Sequence, residues 1–163
     1  MQDTKSDIQC CREFEPEPWQ EKEIVWKDKK FVKETVPQFM HIPLPGTFGK
    51  AVGRMWKKIE DSEAGPEMKD FLMLSTETSM WKGEIYINPT KEIPNAENVK
   101  LSGTFWTKVF DGPYNDVPKW INSMTAFLAA KGKAAKKWFF YYTYCPKCAK
   151  KYGHNYVVTF AQL

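Results

Sequence analysis

Two stretches of the chain carry an apolar stripe that repeats at the spacing of an α-helix. The first stripe is Phe48, Val52, Met55, Trp56 and Ile59, and the second is Val117, Trp120, Ile121, Met124, Phe127 and Leu128. Val52 and Val117 match at the same offset as Ile59 and Met124. Because apolar residues at this period form one face of a helix, the pattern predicts two amphipathic helices of similar design.

Strand patterns flank both helices in the same order. Residues 31–88 predict strand, helix, strand and strand, and residues 100–162 predict the same series. In the strand at 81–88, alternation puts Glu84 and Tyr86 on the face opposite Ile85. The sequence therefore predicts an α+β fold made of a tandem strand–helix–strand–strand repeat with pseudo-twofold symmetry. We expect the helices outside and a ligand cleft between the repeats.

The predicted boundaries follow from a change in composition near residue 24. Residues 1–23 are polar and acidic, which predicts a flexible N-terminal segment, with Trp19 available to dock on the body. Residues 24–163 are predicted to form a single domain. Within it, repeat one covers about 30–90 and repeat two about 98–163.

Composition and charge indicate which kinds of partner the protein binds. The 163 residues include seven Trp, and aromatic residues make up 15% of the chain, so an aromatic pocket for a small molecule is plausible beside an ordinary core. The net charge of +4 is mild and the lysines at 131–137 fit a solvated surface, so we expect no nucleic acid partner. No stretch reaches the ~18 apolar residues of a membrane span, so we expect no membrane association and a cytoplasmic protein.

Three short motifs resemble the gyrase-inhibitor-like (GyrI-like) effector-binding domains. They are Ile-Pro-Asn-Ala-Glu-Asn-Val at 93–99, Gly-Thr-Phe at 103–105, and Phe-Asp-Gly-Pro-Tyr at 110–114 before the second helix. The resemblance implies the duplicated fold and a concave aromatic cleft for flat, often cationic, organic molecules. It also implies that some relatives hydrolyse reactive cyclopropane-bearing compounds, and it matches Glu84 to a buried acidic residue of the family.

Glu84 is therefore the predicted general base or charge partner, and Tyr142 a second catalytic candidate. A carboxylate beside aromatic walls is desolvated, which predicts a raised pKa. The alternative is a wet surface pair with Lys82 or Lys108. The predicted ligand-binding residues are Trp81, Tyr86, Trp106, Phe140 and Tyr144. Trp106 would face the cleft if the helices cover the opposite face of its strand.

The Cys-Pro-Lys-Cys motif at 145–148 is open to three interpretations. Cys145 and Cys148 can pack in a tight turn, act as a reactive thiol pair, or hold half of a zinc site. Such a site would be completed by His154, Cys10, Cys11 or a carboxylate. The predicted function requires no cofactor. The Cys-Pro-Lys-Cys motif would allow a zinc ion. Three functions thus remain: hydrolysis of a reactive flat molecule, binding of such a molecule without turnover, and a zinc or thiol function.

Overall fold

The computed structural model describes residues 13–144 and 146–163, except for the side chains of residues 43, 146 and 147. The elements in chain order are β1 (Lys22–Phe39), β2 (Ile42–Pro43), α1 (Thr47–Asp61), β3 (Met73–Ser79), β4 (Lys82–Ile87), β5 (Glu97–Asp111), α2 (Val117–Ala129), β6 (Lys137–Tyr142), α3 (Pro146–Tyr152) and β7 (Tyr156–Gln162). Single 3₁₀ turns lie at Glu17–Trp19, Met68–Asp70 and Tyr114–Asp116.

Six antiparallel strands close into a barrel in the order β1, β4, β3, β6, β7 and β5. Closure depends on β1, which is 18 residues long. Its first part pairs with β5 from Lys22 to Lys33, and its second part pairs with β4 from Val32 to Pro37. The fold is α+β, as predicted. The strands nevertheless form one closed sheet rather than two sheets with a cleft between them, because one long strand joins both halves.

Side chains alternate between the two faces of the barrel wall. The inner face is apolar and strongly aromatic, with its buried core made of Phe31, Leu72, Leu74, Tyr86, Phe105, Phe139, Val158 and Phe160. On the outer face, α1 packs Met55 and Ile59 against Val32, Val36, Ile85 and Ile87. Helix α2 packs Trp120 against Val157, and Met124 and Leu128 against Ala161. Both predicted apolar stripes thus lie against the outside of the barrel.

The pairing scheme has the form that a duplicated unit requires. If β1 is exchanged with β5, β3 with β6 and β4 with β7, the six strand pairs of the barrel stay the same. Each half runs in the order strand, helix, strand, strand, with β2 and α3 as additions. The pseudo-twofold relation itself stays a prediction.

The N-terminal segment closes the end of the barrel where β5 and β6 finish. The Trp19 ring lies 5.6 Å from Phe160 and 6.4 Å from Tyr141, centroid to centroid. The Thr107 hydroxyl donates to the Trp19 carbonyl at 2.7 Å, and the Phe14 N–H donates to Tyr144 Oη at 2.8 Å. Trp19 thus docks on the barrel, and the domain boundary near residue 23 stays a prediction. Residues 1–12 of the predicted flexible segment lie outside the described residues.

None of the described helices is both long enough and apolar enough to cross a membrane.

Candidate functional site

Glu84 points into the barrel from the middle of β4. Alternation places Ile85 and Ile87 against α1 and leaves Glu84 and Tyr86 on the inner face. Glu84 is opposite Thr35 of β1 and Thr76 of β3. Only 7% of Glu84 is exposed to solvent, although charged carboxylates usually lie on the protein surface. A carboxylate at this depth needs partners that compensate for lost hydration.

Three side chains lie against this carboxylate, Tyr86, Lys33 and Lys137, and Lys33 also pairs with Glu97. These five residues are called the Glu84 cluster. Tyr86 Oη donates to Glu84 Oε1 at 3.0 Å, and Lys33 Nζ donates to Oε2 at 2.9 Å. Lys137 Nζ lies 3.8 Å from Oε1, and Lys33 Nζ lies 3.3 Å from Glu97 Oε1. The cluster thus joins β1, β4, β5 and β6 at one end of the barrel.

Solvent exposure rises from the centre of the cluster to its rim. The exposed fraction of the side chain is 9% for Glu84, 21% for Lys33, 39% for Lys137 and 59% for Glu97. The Lys137 ammonium also lies 5.0 Å from the centre of the Phe139 ring, which faces the interior. A molecule that approaches this end from solvent therefore meets Lys137 and Glu97 first, and Glu84 last.

The pKa of Glu84 is lower than its usual value, contrary to the predicted rise. Burial alone raises the pKa of this carboxyl, as the sequence argument assumed. Hydrogen bonds from Lys33 and Tyr86, with the positive charges of Lys33 and Lys137, outweigh burial and lower the pKa. Glu84 is therefore ionised at neutral pH, and it is a weaker base than a desolvated carboxylate without cations.

Tyr86 is held as a neutral hydrogen-bond donor. Its ring makes edge contacts with Phe31 at 6.0 Å and Phe139 at 5.6 Å, centroid to centroid. Burial is the largest cause of a strongly raised pKa for its hydroxyl, and the negative charge of Glu84 adds to it. Tyr86 therefore keeps its proton and orients the Glu84 carboxylate.

Two of the predicted aromatic walls lie away from the barrel interior. Trp81 is 51% exposed in the turn between β3 and β4, where its ring lies 5.6 Å from Phe39. Trp106 lies under α2, with its ring 5.7 Å from Phe127. The expectation for Trp106 assumed that helices cover the opposite face of β5. That assumption was wrong, because the apolar face with Phe105 lines a closed barrel and α2 covers the Trp106 face.

The remaining predicted side chains of β6 and its following turn also lie apart from Glu84. Phe140 packs with Trp120 beneath α2, and Tyr142 lies on the same outer face, 4.9 Å from the Tyr114 ring. Burial raises the pKa of Tyr142 strongly. Tyr144 is buried at the other end of the barrel, beside Phe14. Of the residues predicted for catalysis and binding, the structure brings together Glu84 and Tyr86.

The metal candidates are only partly described. Cys145 lies outside the described residues, and Cys148 is buried in α3. His154 Nδ1 lies 2.7 Å from Asp111 Oδ2, and its ring stacks on Tyr156. Among residues 13–144 and 146–163, no three His, Cys, Asp or Glu side chains are placed to hold a metal ion. Zinc at Cys145, Cys148 and His154 stays a prediction.

Two surface depressions of the described chain lie away from Glu84. One of about 240 Å³ is lined by Lys30, Glu92 and Lys100 beside the junction of β1 and β5. The other, of about 380 Å³, lies between Tyr114 and Asn155, next to α3. Neither depression is lined by a residue of the Glu84 cluster.

Sequence reasoning missed Lys33, Lys137 and Glu97. Alternation puts Lys33 on the same face as Phe31, and Lys137 on the same face as Phe139, so each was readable as an inward position. What the sequence does not contain is the register that places Lys33 beside both Tyr86 and Glu97.

The chain matches a family of known proteins over its whole length. A family model described as Bacterial hydrolase matches residues 1–163. The chain belongs to the bacterial hydrolase family. No curated protein sequence matches it.

Solved structures with a similar fold include a hydrolase and a domain of EcmrR. A hydrolase from Listeria innocua has a TM-score of 0.64 at 11% identity, over 97% of this chain and 95% of that one. The C-terminal domain of EcmrR has a TM-score of 0.64 at 10% identity, over 88% and 96%. An EcmrR–DNA complex matches at 9% identity with a TM-score of 0.64, over 88% of this chain and 57% of that one. At such identities the likeness concerns the fold, while function depends on the site.

Proposed function

We propose that the protein is a GyrI-like hydrolase that adds water to a small, flat, reactive molecule at the Glu84 cluster. The observation that carries the proposal is a carboxylate only 7% exposed, held by side chains from β1, β4 and β6. Membership of the bacterial hydrolase family supports it. The fold shared with a hydrolase from Listeria innocua agrees with it.

Each member of the cluster has a role in this proposal. Glu84 is ionised and accepts one proton from water as the water oxygen bonds to the electrophilic carbon. Tyr86 and Lys33 hold the two carboxylate oxygens in place. As the ring bond to that carbon breaks, the atom at its other end needs a proton, and Lys137 at the rim is the proposed donor. Lys137 regains a proton from solvent, and Glu84 releases its own to solvent. Because the lowered pKa makes Glu84 a weak base, the substrate has to be a reactive electrophile.

The charges of the cluster favour an uncharged substrate over a cationic one. Glu84 and Glu97 carry two negative charges, and Lys33 and Lys137 carry two positive charges, so the cluster is neutral. A cationic ligand would meet Lys137 before it reached Glu84, which is already paired with Lys33. A neutral molecule competes for neither ion pair of Glu84.

Binding without turnover is the second candidate. The low pKa of Glu84 favours it, because a carboxylate stabilised by Lys33 takes up a proton reluctantly. In that case the cluster would select a ligand by its shape and hydrogen bonding. The proposed partner is a small molecule in both cases, although the EcmrR–DNA complex shows that this fold also occurs in a chain that binds DNA.

Mass spectrometry of neutral, cationic and electrophilic planar compounds, incubated with substoichiometric protein, tests the proposal. We expect a neutral electrophile to gain the mass of water over more than one turnover, and Glu84→Gln to abolish this. Glu34→Gln is the matched control, since Glu34 pairs with Arg54 on the outer face of the neighbouring strand. Retention of a compound without conversion would support the binder. Turnover that survives Glu84→Gln would remove Glu84 from the mechanism.

A further inference from the structure

Exposed apolar side chains are concentrated on two adjacent turns of the barrel. Nine large hydrophobic residues of the described chain are exposed, and six of them lie in the β1–β2 and β3–β4 hairpins. These six, called the hairpin patch, are Phe39, Met40, Ile42, Leu44, Met80 and Trp81, with exposed fractions from 39% to 69%. Single exposed hydrophobic residues are normal on a protein surface, whereas a contiguous group marks an interaction site.

Hydrogen bonds join the two hairpins into one surface. The Gln38 N–H donates to the Trp81 carbonyl at 2.8 Å, and the His41 N–H donates to the Met80 carbonyl at 2.9 Å. The Phe39 and Trp81 rings lie 5.6 Å apart, centroid to centroid. The patch is therefore held in one shape before any partner binds, which lowers the entropy cost of association.

The turn that carries the patch is locally strained. Met40 and His41 have φ angles of 49° and 71°, a left-handed conformation that residues with a side chain seldom adopt. Such strain is retained where surrounding structure enforces it, commonly at functional sites. Met40 lies in this turn and Ile42 directly follows it, and their exposed fractions are 57% and 69%.

We propose that the hairpin patch is the interface of a symmetric homodimer, with a second copy of this chain as its occupant. The six residues together expose an area on the order of 600 Å², compared with the roughly 800 Å² that each partner contributes to a stable interface. In a twofold dimer the same patch meets itself, so an apolar surface is self-complementary. Contact of Trp81 and Phe39 with their counterparts would supply the aromatic anchors that dominate interfaces.

The charges of the two hairpins agree with a second copy and disagree with a membrane surface. Residues 37–44 and 77–82 contain His41, Glu77 and Lys82 as their ionisable side chains. Glu77 and Lys82 carry opposite charges, and His41 Nδ1 lies 2.6 Å from Glu77 Oε2, so the patch carries little net charge. A surface that binds anionic lipid carries several Lys or Arg, and one lysine does not meet that need. A neutral patch also avoids like-charge repulsion across a twofold axis.

Sedimentation velocity of the full chain over a wide concentration series tests this proposal. We expect a reversible monomer–dimer equilibrium, and we expect Met40→Lys to raise the dimer dissociation constant by at least about tenfold. Met68→Lys is the matched control, because Met68 is 56% exposed outside the patch and Met40 is 57% exposed within it. Trp81→Lys provides a second disruptive variant, and circular dichroism checks that each variant is folded.

Three results would overturn the proposal. One is a wild-type chain that stays monomeric over the whole series. Another is a dimer whose dissociation constant is unchanged by both Met40→Lys and Trp81→Lys. The third is a monomer that floats with phosphatidylglycerol vesicles through Trp81, which would assign the hairpin patch to a lipid surface.

Discussion

Lys33 Nζ lies 2.9 Å from Glu84 Oε2 and, at the same time, 3.3 Å from Glu97 Oε1. One ammonium group thus links the most buried carboxylate of the site to the most exposed one. Hydrogen bonding to Glu84 is the main cause of the raised pKa of Lys33, so this lysine is charged throughout the physiological pH range. Among the groups that lower the pKa of Glu84 against burial, Lys33 contributes the largest part, so removing it tests the cluster.

Replacing Lys33 by Met should destabilise the protein at neutral pH. The substitution keeps an unbranched side chain but leaves Glu84, with a side chain only 9% exposed, without its closest cation. Loss of one partner of a buried ion pair costs several kcal/mol, and we expect a loss of about 2–3 kcal/mol because Lys33 is partly solvated. Denaturant unfolding measures the free energy change.

The control for this variant is Lys57→Met. Lys57 lies 2.9 Å from Asp61 in α1, but both side chains are largely exposed. Water already screens that pair, so its removal should leave the free energy of unfolding nearly unchanged. Equal losses for the two variants would contradict the assignment of Lys33 to a desolvated ion pair.

Acid should weaken the fold through Glu84. Its pKa in the folded protein lies below the ordinary 4.5, so ionised Glu84 stabilises the fold above that pH. This contribution is lost as the pH falls through the lower folded-state value. The difference in free energy of unfolding between wild type and Glu84→Gln should therefore shrink below pH 4.5. Denaturant titrations over a pH series measure it, and a difference that grows on acidification would reverse the sign of the predicted pKa shift.

The helices were the part of the fold that the sequence predicted best. The stripes ending at Ile59 and Leu128 depend only on local spacing, and both stripes pack on the barrel. Closure of the sheet was not predictable in the same way. It depends on Lys33 pairing with both Tyr86 and Glu97, partners more than fifty residues away, and local patterns carry no such register.

The part of the site that lies on a single strand was predictable from the alternation of side chains along that strand. Glu84 and Tyr86 share a face of β4, and the structure confirms that shared face. Whether Trp106 and Tyr142 face the barrel interior depends on which side of the sheet the helices cover. Because β5 and β6 are apolar on both faces, hydrophobicity alone does not distinguish the inside of a barrel from the surface beneath a helix.

Replacing Trp19 by Ala should destabilise the barrel although Trp19 lies before the first strand. Its ring covers Phe160 and Tyr141 at the end opposite Glu84. Since the side chain is partly buried, we expect a loss of about 2–3 kcal/mol, below the cost for a fully buried Trp. Thermal and denaturant unfolding measure the loss. Val25→Ala, at a site that is 69% exposed, should change stability little. A Trp19→Ala variant as stable as wild type would return residues 13–20 to the predicted flexible segment.

Replacing Asn88 by Ala should remove the link that holds the chain before β3. Asn88 is 6% exposed, its Oδ1 accepts from the Leu72 N–H at 2.7 Å, and its Nδ2 donates to the Asp70 carbonyl at 2.7 Å. Alanine leaves both backbone groups without this partner, so we expect a loss of about 2–3 kcal/mol in denaturant unfolding.

Asn115→Ala, at an exposed position, is the control and should cost little. Hydrogen exchange adds a local readout, because the Leu72 amide should lose protection in Asn88→Ala. Unchanged protection would mean that water replaces the amide side chain at no cost.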